Sequence, residues 1–151
     1  HITYLCDIDT LTFNKYKHLI TDSTVLNRAT HVVEENDRVK LAAVALSNNN
    51  LIEFGTLMYA SHQSLSNLYE VSGKELDAVV AYSKTNPGVA GARMTGAGFG
   101  GCAIALVKED SFDAFSRELT AYYTDKIGYA PSVYSSLIGN GVGELTNAVN
   151  N

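Results

Sequence analysis

The stretch Arg93-Met-Thr-Gly-Ala-Gly-Phe-Gly-Gly-Cys102, RMTGAGFGGC, decides how the chain is read. Four of the 12 glycines, Gly96, Gly98, Gly100 and Gly101, fall within it. Glycine gives up more conformational freedom on folding than any other residue, so a cluster persists where φ must be positive or another molecule must reach the main chain. Gly96-x-Gly98-x-x-Gly101 has the spacing of a dinucleotide fingerprint, but that motif needs a following helix to aim its N-terminus at a pyrophosphate. Cys102-Ala-Ile-Ala-Leu-Val107 is instead a short apolar run of strand character. No Gly-Lys-Ser/Thr follows to make a P-loop. The sequence therefore predicts a glycine loop between two strands, with successive N–H groups forming an anion-binding concavity.

Outward from the loop, Val89 to Met94 reads as the preceding strand, and Asn86-Pro-Gly88 as the turn before it. Ser72-Gly-Lys-Glu75 has the form of a capping box opening a helix that ends at that turn. Leu51, Phe54, Met58, Ser61, Leu65 and Leu68 follow helical spacing and predict a helix from Leu51 to about Tyr69. Val32, Val39, Ala43 and Leu46 predict another from about Thr30 to Leu46. Asn36 shares that stripe, and a buried amide must be hydrogen-bonded, so its side chain is expected to tie down a neighbouring loop backbone. Ile2 to Cys6 reads as a strand or extended entry. After the loop, Asp110 or Ser111 is expected to cap a helix bearing Phe112, Phe115, Leu119 and Tyr122, with Gly128 as its C′ residue. Pro131 precedes an expected last strand, Ser132 to Ile138. This order predicts an α+β fold, ferredoxin-like, with helices covering an antiparallel sheet.

Composition limits the function classes. The 151 residues are 46% hydrophobic and 18% charged, enough to bury a core. Sixteen acidic against eleven basic residues give a net charge of -5, which argues against nucleic acid as partner. Gly98-Phe-Gly100 resembles the centre of an RNA-recognition strand, but Ala97 stands where a cation belongs, and Gly101 and Ile104 where stacking rings belong. No apolar window approaches the length of a membrane span and no signal-peptide pattern opens the chain, so a cytoplasmic, membrane-free protein is expected. Cys6 and Cys102 lack ligand-like spacing and read as free, buried thiols. The first residue, His1, suggests a piece of a longer chain.

Four constellations bear on chemistry. His31 and Glu35 stand at i and i+4, where an ion pair is expected and a metal would need a third ligand. Ser61-His-Gln-Ser64 places hydroxyls beside an imidazole, but sequence neighbours on a helix diverge, so packing and hydrogen bonding are expected rather than a nucleophile–base pair. Asp7 and Asp9 could share a strand face toward Mg²⁺, though caps are the commoner use. Arg93, in a central strand, needs a phosphate or a carboxylate partner, and both readings stand.

The motifs together resemble the GHMP small-molecule kinases in the form found in galactokinases. RMTGAGFGGC is similar to their third signature motif. Arg28-Ala-Thr-His31-Val-Val-Glu-Glu35-Asn36-x-Arg38-Val39 resembles their RAxHVVxENxRV segment. Phe54-Gly55-x-Leu57-Met58-x-x-Ser61-His62-x-Ser64-Leu65, Tyr69-Glu-Val-Ser72 and Glu75-Leu-Asp77 follow in the family's order. Departures are Ala92, Ala97 and Gly73, where Ser, Gly and Cys are common. The resemblance implies a ferredoxin-like GHMP kinase C-terminal domain over residues 1–151, part of an enzyme that transfers the γ-phosphoryl of ATP to the 1-hydroxyl of galactose. It implies nucleotide or substrate contacts from Arg93, Thr95, Gly96, Ala97, Gly98, Phe99, Gly100 and Gly101, with no catalytic or metal-ligating residue here. ATP and Mg²⁺ would be bound mainly by an N-terminal lobe whose signature segments are not in this sequence, so the chain alone is expected to be inactive. Mevalonate and homoserine kinases share the glycine loop but not the other segments. A non-catalytic galactose- and ATP-binding sensor is the second reading.

Overall fold

A computed structural model describes residues 2–139. Its elements in chain order are α1 (Thr10–Tyr16), α2 (Ser23–Ser47), α3 (Leu51–Ser64), a π-helical turn (Leu65–Tyr69), α4 (Lys74–Thr85), β1 (Val89–Thr95), β2 (Cys102–Val107) and α5 (Phe112–Ile127). The fold is α+β: β1 and β2 form an antiparallel two-stranded sheet among helices.

The long helix α2 begins seven residues earlier than its apolar spacing suggests, because Asp22 accepts the Val25 N–H and starts it at Ser23. Its buried residues are Ala29, His31, Val33 and Ala45, and Phe13 of α1 packs on Ala29 and Val33. The expected stripe is not the buried one: Val39 is 60% exposed and Leu46 also faces solvent, as does Val44 at 57%. Two faces of α2 are apolar, and the described residues cover one of them. Asn36 does reach a neighbouring backbone, donating from Nδ2 to the Cys6 carbonyl at 3.4 Å.

Helix α3 packs along β1 at close range. A Cβ on Gly55 would lie 1.8 Å from the Ala90 carbonyl oxygen, and one on Gly91 would lie 2.4 Å from Gly55 Cα. The Met94 N–H donates to His62 Nδ1 of α3 rather than to a strand. Helix α3 thus occupies the edge of β1 that a further strand would need. On the sheet, Met94 lies buried with Leu65 and Leu76, against Val71 and Ala103. Helix α5 buries Phe115, Leu119 and Tyr123 and meets α4 where Tyr82 stacks near Phe115 and Tyr122. Gly128, at φ 97°, ends α5 as expected.

Several expectations are corrected. Ile2 to Cys6 forms no strand, because the Asp7 carboxylate accepts the N–H groups of Thr3 and Tyr4 and turns the chain into a 3₁₀ turn, Leu5–Asp7. Ser132 to Ile138 forms no strand either; Tyr134, Leu137 and Ile138 are exposed and the segment joins no ladder. Both outer strands of a ferredoxin-like sheet are therefore lacking among the described residues, and the far edge of β2 carries no strand. The Ser72 capping box does not form: Gly73 precedes α4 without a side-chain cap, and the Ser72 hydroxyl donates to Asp77. Helix α5 is entered from a 3₁₀ turn, Glu109–Ser111, so neither Asp110 nor Ser111 caps it. Cys6 and Cys102 are exposed, the first in the entry turn and the second at the mouth of the hairpin.

Gly55→Ala should force α3 off β1 and lower the stability of the chain by about 3 kcal/mol or more, since the neighbour is rigid backbone. Gly128→Ala meets open space and should cost only about 1 kcal/mol, from its positive φ. Urea-denaturation midpoints of the two variants, read by far-ultraviolet circular dichroism, check the ordering.

Candidate functional site

The antiparallel register pairs Arg93 with Ile104, Met94 with Ala103 and Thr95 with Cys102, which leaves Gly96 to Gly101 as the tip of the hairpin. All eight residues expected at the site, Arg93 and Thr95 to Gly101, thus lie on one hairpin. Gly96, Gly98, Phe99 and Gly100 all have positive φ, at 77°, 84°, 55° and 91°. For Phe99 this is a costly conformation, on the order of 1 kcal/mol or more, and the residue is 77% exposed. What holds it is the Phe99 N–H, which donates to the Val71 carbonyl at 2.8 Å.

Gly98 is required by that same carbonyl, since a Cβ there would sit 2.0 Å from the Val71 oxygen. A Cβ on Gly96 or Gly100 would meet nothing within 4 Å. The Gly101 N–H turns inward to the Gly98 carbonyl at 3.3 Å. Among the described residues the N–H groups of Gly96, Ala97 and Gly100 have no backbone hydrogen bond outside the strands, while Gly98 closes the turn at Gly96–Ala97. The glycine run is therefore partly spent on its own fold, since the Phe99 and Gly101 N–H groups are bonded within the protein.

Val71 is itself clamped from both sides. Before it, the π-helical turn ends at Glu70 in the left-handed region, φ 58°, and the Val71 N–H closes back on the Leu65 carbonyl at 3.1 Å. Arg28 of α2 pins this turn, bonding the Leu68 carbonyl and, at 2.6 Å, the Glu70 carboxylate. After it, Ser72 Oγ donates to Asp77 Oδ1 at 2.7 Å, and the same oxygen lies 3.0 Å from His62 Nε2. Because His62 Nδ1 accepts the Met94 N–H at 3.2 Å, the ring proton sits on Nε2 and points at Asp77. Burial holds His62 below the ordinary histidine value, outweighing the upward pull of Asp77. Ser61-His-Gln-Ser64 is thus a packing and hydrogen-bonding segment.

Arg93 has a carboxylate partner. Its Nε–H donates to the Met94 carbonyl at 3.0 Å and its guanidinium lies 3.5 Å from Glu35 Oε1. Glu35 also accepts Ser61 Oγ at 2.5 Å and the guanidinium of Arg38. The expected His31–Glu35 pair does not form. Burial pushes His31 toward its neutral form, and its Nδ1 bonds Ser64 Oγ at 2.8 Å, while Glu35 takes guanidinium partners instead. This cluster borders a cleft of about 170 Å³ between α2, α3 and the hairpin, floored by Val39, Phe54, Met58 and Ile104. The sequence did not reveal which carboxylate meets Arg93; the need of a strand arginine for an acidic partner was its only signal. Asp7 and Asp9 serve as caps, Asp9 accepting the Thr12 N–H at 2.7 Å. Among the described residues no three His, Cys, Asp or Glu side chains converge as metal ligands.

Comparison with known proteins gives concordant matches. The family described as GHMP kinases C terminal matches residues 42–125. The galactokinase of Clostridium tetani is 54% identical over 95% of this chain and 37% of its own length. That of Enterococcus faecalis is 50% identical over the same shares, 95% and 37%. A crystal structure of Lactococcus lactis galactokinase complexed with galactose superposes with a TM-score of 0.84 at 45% identity, covering 86% of this chain and 34% of that one. The chain spans little more than a third of the length of these relatives.

The glycines of the loop should separate on substitution. Gly98→Ala must undock the loop from Val71, whereas Gly96→Ala should cost about 1 kcal/mol of backbone strain and leave it docked. Amide chemical shifts of Phe99 and Val71 in the two variants report the difference. The buried histidines set a pH dependence. Their folded-state values are depressed, so the unfolded chain takes up protons first, and stability present above about pH 6.5 falls as pH drops below it. Urea midpoints at pH 7.5 and 5.5 measure the loss, and His62→Gln should reduce it.

Proposed function

The chain belongs to the GHMP kinase C-terminal family, and from that premise we propose that it is the C-terminal part of a galactokinase, which moves the γ-phosphoryl of ATP to the 1-hydroxyl of galactose. The observation that carries the proposal is the docked glycine loop, with the N–H groups of Gly96, Ala97 and Gly100 free of backbone partners among the described residues. The names of its galactokinase relatives and the galactose complex of a related enzyme support the same reaction.

Phosphoryl transfer asks the protein for positioning and charge stabilisation rather than covalent chemistry. Fixed backbone donors supply both, and because they are held before the reaction they need no reorganisation as charge develops. Residues Thr95 to Gly101 would form this donor surface beside the transferring phosphoryl. Arg93, already paired with Glu35, would hold the root of the hairpin. ATP is used with Mg²⁺ in such enzymes. The carboxylates described here do not fit that ion, since they do not converge and Asp7 and Asp9 are spent on caps. No step is therefore assigned to the metal in this chain.

The proton acceptor for the sugar hydroxyl and the main phosphate cradle would come from an N-terminal lobe of the same polypeptide. The open apolar face of α2, Val39, Val44 and Leu46, offers that lobe a surface. A cytoplasmic setting suits this role; no described helix is long and apolar enough to cross a membrane.

The 151-residue chain should fold by itself, with a helical dichroism spectrum, yet give no galactose-dependent ADP release with ATP and Mg²⁺. The longer enzyme containing it should turn over at about 1–100 per second. A coupled ADP assay on both proteins decides the matter. Turnover by the 151-residue chain would place catalysis within it, and galactose binding without turnover by the longer protein would indicate a sensor.

A further inference from the structure

Resting on that functional reading, we propose that Ser72, Asp77 and His62 are positioning residues for phosphoryl transfer, acting by fixing the Val71 carbonyl on which the glycine loop docks. None of the three needs to touch substrate.

The geometry is a closed ring. It runs from the Met94 N–H at the root of the hairpin to His62 Nδ1, through the imidazole to Asp77 Oδ1, and on to the Ser72 hydroxyl. From Ser72 it passes along the backbone to the Val71 carbonyl, and from there to the Phe99 N–H at the tip. Root and tip of the same hairpin are thus tied to one network, and the loop cannot swing about β1 without breaking a bond of the ring. Outside its own hairpin, the tip has a single backbone hydrogen bond to the rest of the described residues, the one to Val71. That carbonyl is therefore the point at which the tip is fixed by a backbone hydrogen bond from outside the hairpin.

The local sequence also departs from its own best helix start. Ser72 and Glu75 are spaced for a capping box, yet the hydroxyl is directed to Asp77 and α4 begins with no side-chain cap. A local rule broken in favour of a longer-range contact is expected where a site is being built. Both donors converge on one carboxylate oxygen, and hydrogen bonds to an ionised acceptor are the stronger kind. Displacement of a catalytic group by about 1 Å can cost on the order of a hundredfold in rate, so a tether of this kind acts on turnover more than on ground-state sugar binding.

The test uses the longer enzyme containing this chain, with three variants. Ser72→Ala should lower kcat about tenfold, leave KM for galactose within about twofold, and speed hydrogen exchange at the Phe99 amide while the thermal midpoint stays near that of the parent. Asp77→Ala should do the same or more. Asp77→Asn keeps an oxygen that accepts both hydrogen bonds, and should restore most of kcat and of the Phe99 protection. Unchanged kcat in Ser72→Ala, or lowered kcat with Phe99 protection intact, would overturn the inference. If the parent enzyme shows no galactose-dependent turnover, the functional reading fails, and the Phe99 exchange data alone then decide whether the ring docks the loop.

Discussion

Helix α3 and strand β1 touch backbone to backbone at Gly55 and Gly91, and the remaining contacts of the hairpin follow from that approach. Seven residues of helix rise about 10 Å, and three residues of strand extend about the same distance. Gly55 and His62 of α3 therefore stand opposite Gly91 and Met94 of β1, so one crossing brings both pairs together. Ser61, one residue before His62, faces the other way and meets Glu35, which in turn reaches Arg93. With any side chain at the two glycines the helix would stand off, and His62 could not reach the strand.

Two polar networks then divide the work of holding the hairpin. On one side Arg38, Glu35, Ser61 and Arg93 join α2, α3 and β1 through charges that stay in contact with a solvent-lined cleft. On the other, His62 is buried and neutral and works by hydrogen bonds alone. The charged network tolerates water, while the neutral one depends on each donor finding its acceptor in a low-dielectric setting. The loop's geometry is thus set by the part of the structure least forgiving of displacement.

The hairpin was legible because its signals are local: an apolar run on either side of a glycine cluster, and a Pro-Gly turn in front. The extents of α4 and α5 and the Gly128 stop were legible for the same reason. What stayed hidden was choice among partners. Ser72 could serve its own helix or Asp77, and Glu35 could serve His31 or two arginines; spacing along the chain allows each option, while burial of the histidines and the crossing of α3 decide among them. Gly98 was legible as a position that admits no side chain, and the Val71 carbonyl supplies a reason the sequence did not show. The two outer strands failed because strand character in sequence supplies no ladder by itself: an aspartate curled the first into a turn, and the second joins no neighbouring edge.

The sheet is closed on one flank and open on the other. Helix α3 consumes the outer edge of β1, while β2 ends the sheet with its far edge unpaired among the described residues. Strand addition to a sheet needs a border of free backbone groups, and on the β1 flank a helix has taken that place. The glycine pair that lets α3 come so near thus also acts as a stop, sealing that border of the sheet against a strand from another molecule.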